Sequence, residues 1–159
     1  MGEPEVRIRR AEARDMAVII ELWQKMMEEL AATDARYALR PGADVLWAKW
    51  AGQRLRDSDS CVLVAERSDE YVGYLVGHLD EAHPIFRSRR HALLTDLYVD
   101  PGMRRKGVGT QLVMQAFTFF GKFDLHEIRV NVLVKAEGFR TFLEKFGFGD
   151  FQFRMMKRF

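Results

Sequence analysis

The residues best equipped to do chemistry lie in one stretch, Leu93-Leu94-Thr95-Asp96-Leu97-Tyr98-Val99-Asp100-Pro101-Gly102-Met103-Arg104-Arg105-Lys106-Gly107-Val108-Gly109-Thr110. An apolar run carrying an acid and a phenol breaks at Pro-Gly into a basic, glycine-bearing turn, and an amphipathic segment follows. Such a turn can cradle a phosphate. Glycines let the backbone approach an anion with no Cβ in the way. The free N–H groups of a helix start, with about half a positive charge from the helix dipole, favour a diphosphate at that end. Arg104, Arg105 and Lys106 can add charge-assisted contacts. The pattern is Arg-x-x-Gly-x-Gly. It is not a P-loop, because the chain contains no Gly-x-x-x-x-Gly-Lys-Ser/Thr. It is not a dinucleotide fingerprint either, because Leu112 stands where a third small residue is required.

Other reactive types are scattered. His78, Asp80, Glu81 and His83 gather near the end of one strand and could border an acceptor site, but their spacing does not converge on a metal, and no metal site is expected. Cys61 is the sole cysteine. That excludes an intrachain disulfide and a cysteine-based zinc cluster, and Val62, Leu63 and Val64 beside it predict a buried strand position.

The elements that must position these residues follow from periodicity. Val6 and Ile8 suggest a short first strand. Ile19, Leu22, Trp23, Met26 and Leu30 recur at helical spacing after Asp15, where a helix start is favoured. Pro41-Gly42 breaks the chain before a second helix carrying Trp47, Trp50 and Leu55 and ending near Asp57. Residues 61–65 and 71–79 read as a hairpin, and residues 91–100 as the next strand. A third helix, with Leu112, Ala116 and Phe120 on one face, stops at Gly121. A strand over 127–133, a fourth helix over 135–146 and a final strand over 148–156 complete the reading. Phe139, Phe142, Phe146 and Phe148 are expected in the core. The order predicts a mixed α/β fold with helices on a central sheet. The strand-helix-strand unit over 91–133 should pair two parallel strands in a right-handed crossover. Ligands in open sheets bind where neighbouring strands diverge at their carboxyl ends, which is where the Arg104 turn falls.

Composition excludes several classes. A length of 159 residues fits a single domain, 1–159, able to bury roughly two thirds of its unfolded surface. Hydrophobic residues make up 48% and charged residues 30%, a soluble globular balance. No stretch approaches the ~20 apolar residues of a membrane span. The start Met1-Gly2-Glu3-Pro4-Glu5-Val6 lacks a signal layout and a myristoylation pattern, so the expected location is cytoplasmic. A net charge of +2, with no groove-reading element or exposed stacking aromatics, argues against a nucleic-acid partner.

The strand Asp96-Leu97-Tyr98-Val99-Asp100-Pro101, the Arg104/Gly107/Gly109 turn, the amphipathic helix after it and Glu144-Lys145-Phe146-Gly147-Phe148 together resemble the GNAT superfamily of acyl-CoA-dependent N-acyltransferases. Val64-Ala65-Glu66 and Tyr71-Val72-Gly73-Tyr74 also resemble that family's second and third strands. The resemblance implies a central mixed sheet of about six to seven strands with about four flanking helices, the fourth and fifth strands splayed. It implies acetyl-CoA as co-substrate, its diphosphate on the backbone of Arg104, Arg105, Lys106, Gly107, Val108, Gly109 and Thr110 and its pantetheine arm along Leu97, Tyr98 and Val99. The implied reaction is direct attack of a primary amine of a small molecule or peptide on the thioester, in a ternary complex. An alkyl amine of pKa ~10.4 is mostly protonated at pH 7, so a base is needed. Asp96 is the first candidate, as base or as a contact to the cationic amine; polyamine-type relatives carry a Glu-Asp pair where this chain has Thr95-Asp96. The family's helix-four Asn and Tyr fall on Ala136 and Leu143, so Tyr98, an ordered water or no acid at all serves the departing thiolate. The rival reading is a non-catalytic acyl-CoA-binding module. The final strand, with Phe151, Phe153 and Phe159, would expose a pairing edge and suggests a homodimer.

Overall fold

The computed structural model describes residues 5–87 and 89–159. The reading of the first four residues therefore lies outside the described part. The elements in chain order are β1 (Arg7–Arg10), α1 (Met16–Thr33), α2 (Ala43–Arg56), β2 (Ser60–Arg67), β3 (Glu70–Glu81), β4 (Arg90–Val99), α3 (Val108–Phe120), β5 (Ile128–Val130) and α4 (Glu137–Glu144). The strands form one sheet in the order β1-β2-β3-β4-β5. Pairing is antiparallel from β1 to β4, and β5 joins β4 in parallel.

Strand β2 explains the layering. Its run Cys61-Val62-Leu63-Val64-Ala65 is fully buried without alternation because both faces of the sheet are covered. Leu63 packs with Leu75, Leu94, Leu112, Val113 and Phe120 on the α3 side. Val62 and Val64 pack with Ile19, Leu22, Trp23, Tyr74 and Val76 on the α1/α2 side. Each such buried side chain stabilises the fold by roughly 1.5–3 kcal/mol. Cys61 is fully buried, as its apolar neighbours predict, and burial pushes its thiol up to about 12.

The helices and the hairpin sit where periodicity places them. The right-hand edge of the sheet does not. Among the described residues the sheet has five strands, not the expected six to seven, and residues 148–156 form no strand. The segment has the alternation of a strand but pairs with none: β5 is three residues long, against the seven anticipated over 127–133. Phe151 and Phe153 are consequently exposed.

Candidate active site

Side chains on a strand alternate faces, so β4 would ordinarily aim every even-numbered residue the same way. It does not. Ala92 and Leu94 pack on the α3 side, yet so do Leu97 and Val99, while Tyr98 belongs to the α1/α2 side. The cause is a bulge. Val76 of β3 pairs with Asp96 and Gly77 pairs with Leu94, which leaves Thr95 as the extra residue. Its hydroxyl donates to the Val76 carbonyl at 3.2 Å. The bulge therefore turns Asp96 away from the α3 core and onto the face of α1 and α2.

Asp96 is buried there, 8% exposed. The Tyr74 hydroxyl, itself fully buried, donates to Asp96 Oδ1 at 3.3 Å. Loss of water pushes the Asp96 carboxyl up to about 6, and hydrogen bonds from Thr95 and Tyr74 hold it from rising further. A carboxyl in that range is ionised at pH 7 and basic enough to accept a proton.

Strand β5 pairs only with Ala92, Leu93 and Leu94. Among the described residues, β4 from Thr95 to Val99 has β3 on one side and no strand on the other. This is the expected splay, and Asp96 stands at its beginning. An extended ligand carrying amides can pair with such an edge.

Beyond β4, a short 3-10 turn over Pro101–Met103 leads into the basic loop. Arg105 and Gly107 both adopt positive φ, 64° and 84°. That conformation suits glycine at 107. The first hydrogen bond into α3 runs from the Gln111 N–H to the Gly107 carbonyl at 3.0 Å. No side chain caps this helix end, so the amides of Val108, Gly109 and Thr110 face outward. Gly109 has a packing reason as well: a Cβ there would lie 3.3 Å from the ring of Phe142 on α4.

The three basic residues of the turn are not equivalent. Arg104 reaches back towards α1, its Nη2 donating to both Glu29 carboxylate oxygens at 2.6 and 2.8 Å and its Nε to the Val99 carbonyl at 2.8 Å. Its guanidinium also lies 5.5 Å from the centre of the Tyr98 ring. Arg105 and Lys106 are exposed. The Tyr98 ring is buried, and its hydroxyl donates to Asp100 at 3.3 Å. Burial, then the negative charges of Asp100 and Glu29, push this phenol up to about 12. Lys25 of α1 closes Asp100 at 3.2 Å.

On α4, Ala136 stands at the helix start with no capping side chain, and Leu143 is buried. Neither can handle a proton. The His78 group divides. His78 shares the α1/α2 face, its ring edge-on to Trp50 at 6.0 Å, with Nδ1 buried and unbonded. Burial and then Arg54 hold its pKa below the usual value. Asp80 lies 3.6 Å from His91, and His83 sits exposed in the following loop. Among the described residues no three His, Cys, Asp or Glu side chains gather closely enough to hold a metal.

Sequence reasoning missed the partners. Tyr74 comes to Asp96 across the sheet, 22 positions away, and only the bulge makes the two share a face. It also missed the aromatic wall of α1 and α2: Trp23 stacks on Trp47 at 4.8 Å, and Trp47 meets the Tyr74 ring edge-on at 6.1 Å. The signal was present in Trp23, Trp47 and Trp50, three large rings on two consecutive helices. Asp15 was expected as a helix start. It stands at that position, but its carboxylate serves a buried network: it accepts from Arg9 at 2.7 and 2.9 Å and from the Tyr71 hydroxyl at 2.6 Å.

Comparison with known proteins supplies the context. The model of the Acetyltransferase (GNAT) family matches residues 20–148. A Bacillus subtilis (strain 168) protein described as uncharacterized N-acetyltransferase YhfO is 29% identical over 121 residues, covering 74% of this chain and 72% of that protein. The solved structure of a tetramutant of the BH1408 protein from Bacillus halodurans superimposes with a TM-score of 0.85 at 20% identity, covering 96% of this chain and 99% of the other. AAC(6')-Iy in complex with a bisubstrate analogue, CoA-S-monomethyl-acetylneamine, superimposes with a TM-score of 0.78 at 13% identity, covering 97% of each chain.

Proposed function

Since the chain belongs to the GNAT acetyltransferase family and is an acetyl-CoA-dependent N-acetyltransferase, we propose that Asp96 is the base that frees its amine acceptor and that the Arg104–Thr110 turn holds the CoA diphosphate. One observation carries this reading. A buried carboxyl, raised to about 6 by loss of water, stands where β4 loses its β5 partner, on the same strand that runs into an uncapped helix end.

In this scheme the diphosphate docks on the outward amides of Val108, Gly109 and Thr110, with Arg105 and Lys106 adding charge. The pantetheine arm lies along Leu97, Tyr98 and Val99. Arg104, committed to Glu29 and Val99, fixes the turn against α1. The acceptor arrives as an ammonium and gives one proton to the Asp96 carboxylate. The neutral nitrogen then attacks the thioester carbonyl, forming the C–N bond. Collapse of the tetrahedral adduct breaks the C–S bond, and the second nitrogen proton leaves with the thiolate as CoA thiol. Asp96 returns its proton to solvent.

No protein acid is required for the sulfur, because a thiol of pKa ~8.5 is already a fair leaving group. Tyr98 does not fill that role well. A phenol pushed up to about 12 holds its proton more tightly than the thiol it would protonate, so its contribution is the wall beneath the pantetheine arm. The same proposal takes residues 1–159 as one catalytic domain, cytoplasmic and homodimeric. The continuous single sheet supports the first part, and the exposed C-terminal aromatics support the last.

The docking half is tested by calorimetry. Arg105→Ala combined with Lys106→Ala should weaken acetyl-CoA about tenfold or more, a loss of about 1.4 kcal/mol, with the circular dichroism spectrum unchanged. Wild-type affinity in the double variant would remove the turn from the CoA site.

A further inference from the structure

The surroundings of Asp96 also bear on which amine it receives. The carboxyl lies among rings and a thioether. Tyr74 bonds it directly, and the Met26 sulfur lies 3.6 Å from that same hydroxyl. Trp47 stands edge-on to Tyr74, leans on Trp50 at 6.2 Å and is backed by Trp23. Met26, Trp47 and Trp50 are half-buried. Tyr98, the next residue of β4 on this face, closes the other side.

Three acids on or next to α1 and β4 are already matched from within the chain. Lys25 closes Asp100, Arg104 closes Glu29 through two oxygens, and Arg36 closes Asp34. A polycation such as a polyamine or an aminosugar needs several free carboxylates, one for each further ammonium group, because every unpaired charge brought near this apolar wall is penalised. A single ammonium on an aromatic or aliphatic body needs one acid and a surface to lie on, and aromatic faces additionally attract the cation.

We infer that the acceptor is a monoamine carried on an aromatic or apolar body, an arylalkylamine in chemical class, its nitrogen at Asp96 and its body against Met26, Trp47 and Trp50. The inference rests on Asp96 being the proton acceptor of the proposed reaction. It differs from the acetylneamine part of the analogue bound by the AAC(6')-Iy neighbour, and the difference lies in the tryptophans.

Thiol release from acetyl-CoA, followed over a panel of ethylamine, 2-phenylethylamine, tryptamine, spermidine and kanamycin, decides the matter with the wild-type chain alone. The expected result is kcat/KM for 2-phenylethylamine and tryptamine at least tenfold above spermidine and kanamycin. Trp47→Phe and Trp50→Ala should each raise KM for 2-phenylethylamine several-fold, and by a larger factor than they raise KM for ethylamine. A preference for spermidine or kanamycin, with an acid limb still near pH 6, would overturn the acceptor class and leave the proposed chemistry standing. An equal loss on every amine in both tryptophan variants would reduce the aromatic wall to scaffolding and overturn the inference. Acetyl-CoA binding with no turnover of any amine would overturn the proposed chemistry and the acceptor class together.

Discussion

At Asp96, function and stability pull in opposite directions. The folded chain raises this carboxyl from 3.8 to about 6, so it binds a proton more tightly than the unfolded chain does. The stabilisation from that bound proton is complete below pH ~4 and disappears as pH rises through about 6; at pH 7.5 the buried charge therefore costs about 3 kcal/mol. Asp96→Asn should raise the melting temperature at pH 7.5, show no such gain at pH 3.5, and lower kcat at least tenfold. In the wild type kcat should fall away below pH 6. Thermal melts at the two pH values and a pH–rate profile check both statements, and an unshifted melting curve would mean that Asp96 is solvated. The residue itself was legible in the sequence, as an acid set in an apolar strand ahead of a phosphate-type turn. Its environment was not, because Tyr74, Met26 and Trp47 approach it through tertiary packing that no local spacing encodes.

Among the elements, β1, the start of α1 and the β2–β3 hairpin are tied by charge. Arg9 donates to Asp15 and to Glu66, and Tyr71 donates to Asp15. Asp15 is fully buried and the Arg9 side chain is 15% exposed. The Arg9 guanidinium, followed by the Tyr71 hydroxyl and the Glu12 amide, holds the Asp15 carboxyl well below the usual range. Stability from this group is present above pH ~4 and lost as pH falls further. Arg9→Ala, which strands the buried carboxylate, should destabilise by about 3 kcal/mol in urea titrations at pH 7, with a smaller difference at pH 3. Apolar periodicity made the helices and the hairpin readable because each buries a face by itself. It failed at the end of the chain because a strand exists only with a partner: residues 148–156 alternate correctly, but β5 offers three residues and the ladder does not form. The bulge in β4 was equally invisible, since Thr95 reads as an ordinary polar residue in an apolar run.

For the whole molecule, the open question is what the C-terminal segment meets. Phe151, Phe153, Met155 and Phe159 are 69%, 76%, 92% and 111% exposed, an amount of apolar surface unusual for a monomer. Arg129 covers one face of Phe151 at 4.7 Å, which keeps the segment beside β5. A second copy supplying the missing ladder partner would bury these rings, so light scattering should report a dimer and Phe151→Asp with Phe153→Asp should shift it to a monomer. A wild-type monomer at 100 μM would retire the homodimer. The single supernumerary position in β4 carries a different consequence, for how such a gene can drift. Exchanges at Thr95 leave the pairing alone, and so does loss of that codon, because it is the one position between Leu94 and Asp96 without a partner on β3: Asp96 would still face Val76 and Tyr98 would still face Tyr74. Divergence at that point is free in spelling and tolerates the loss of that one residue.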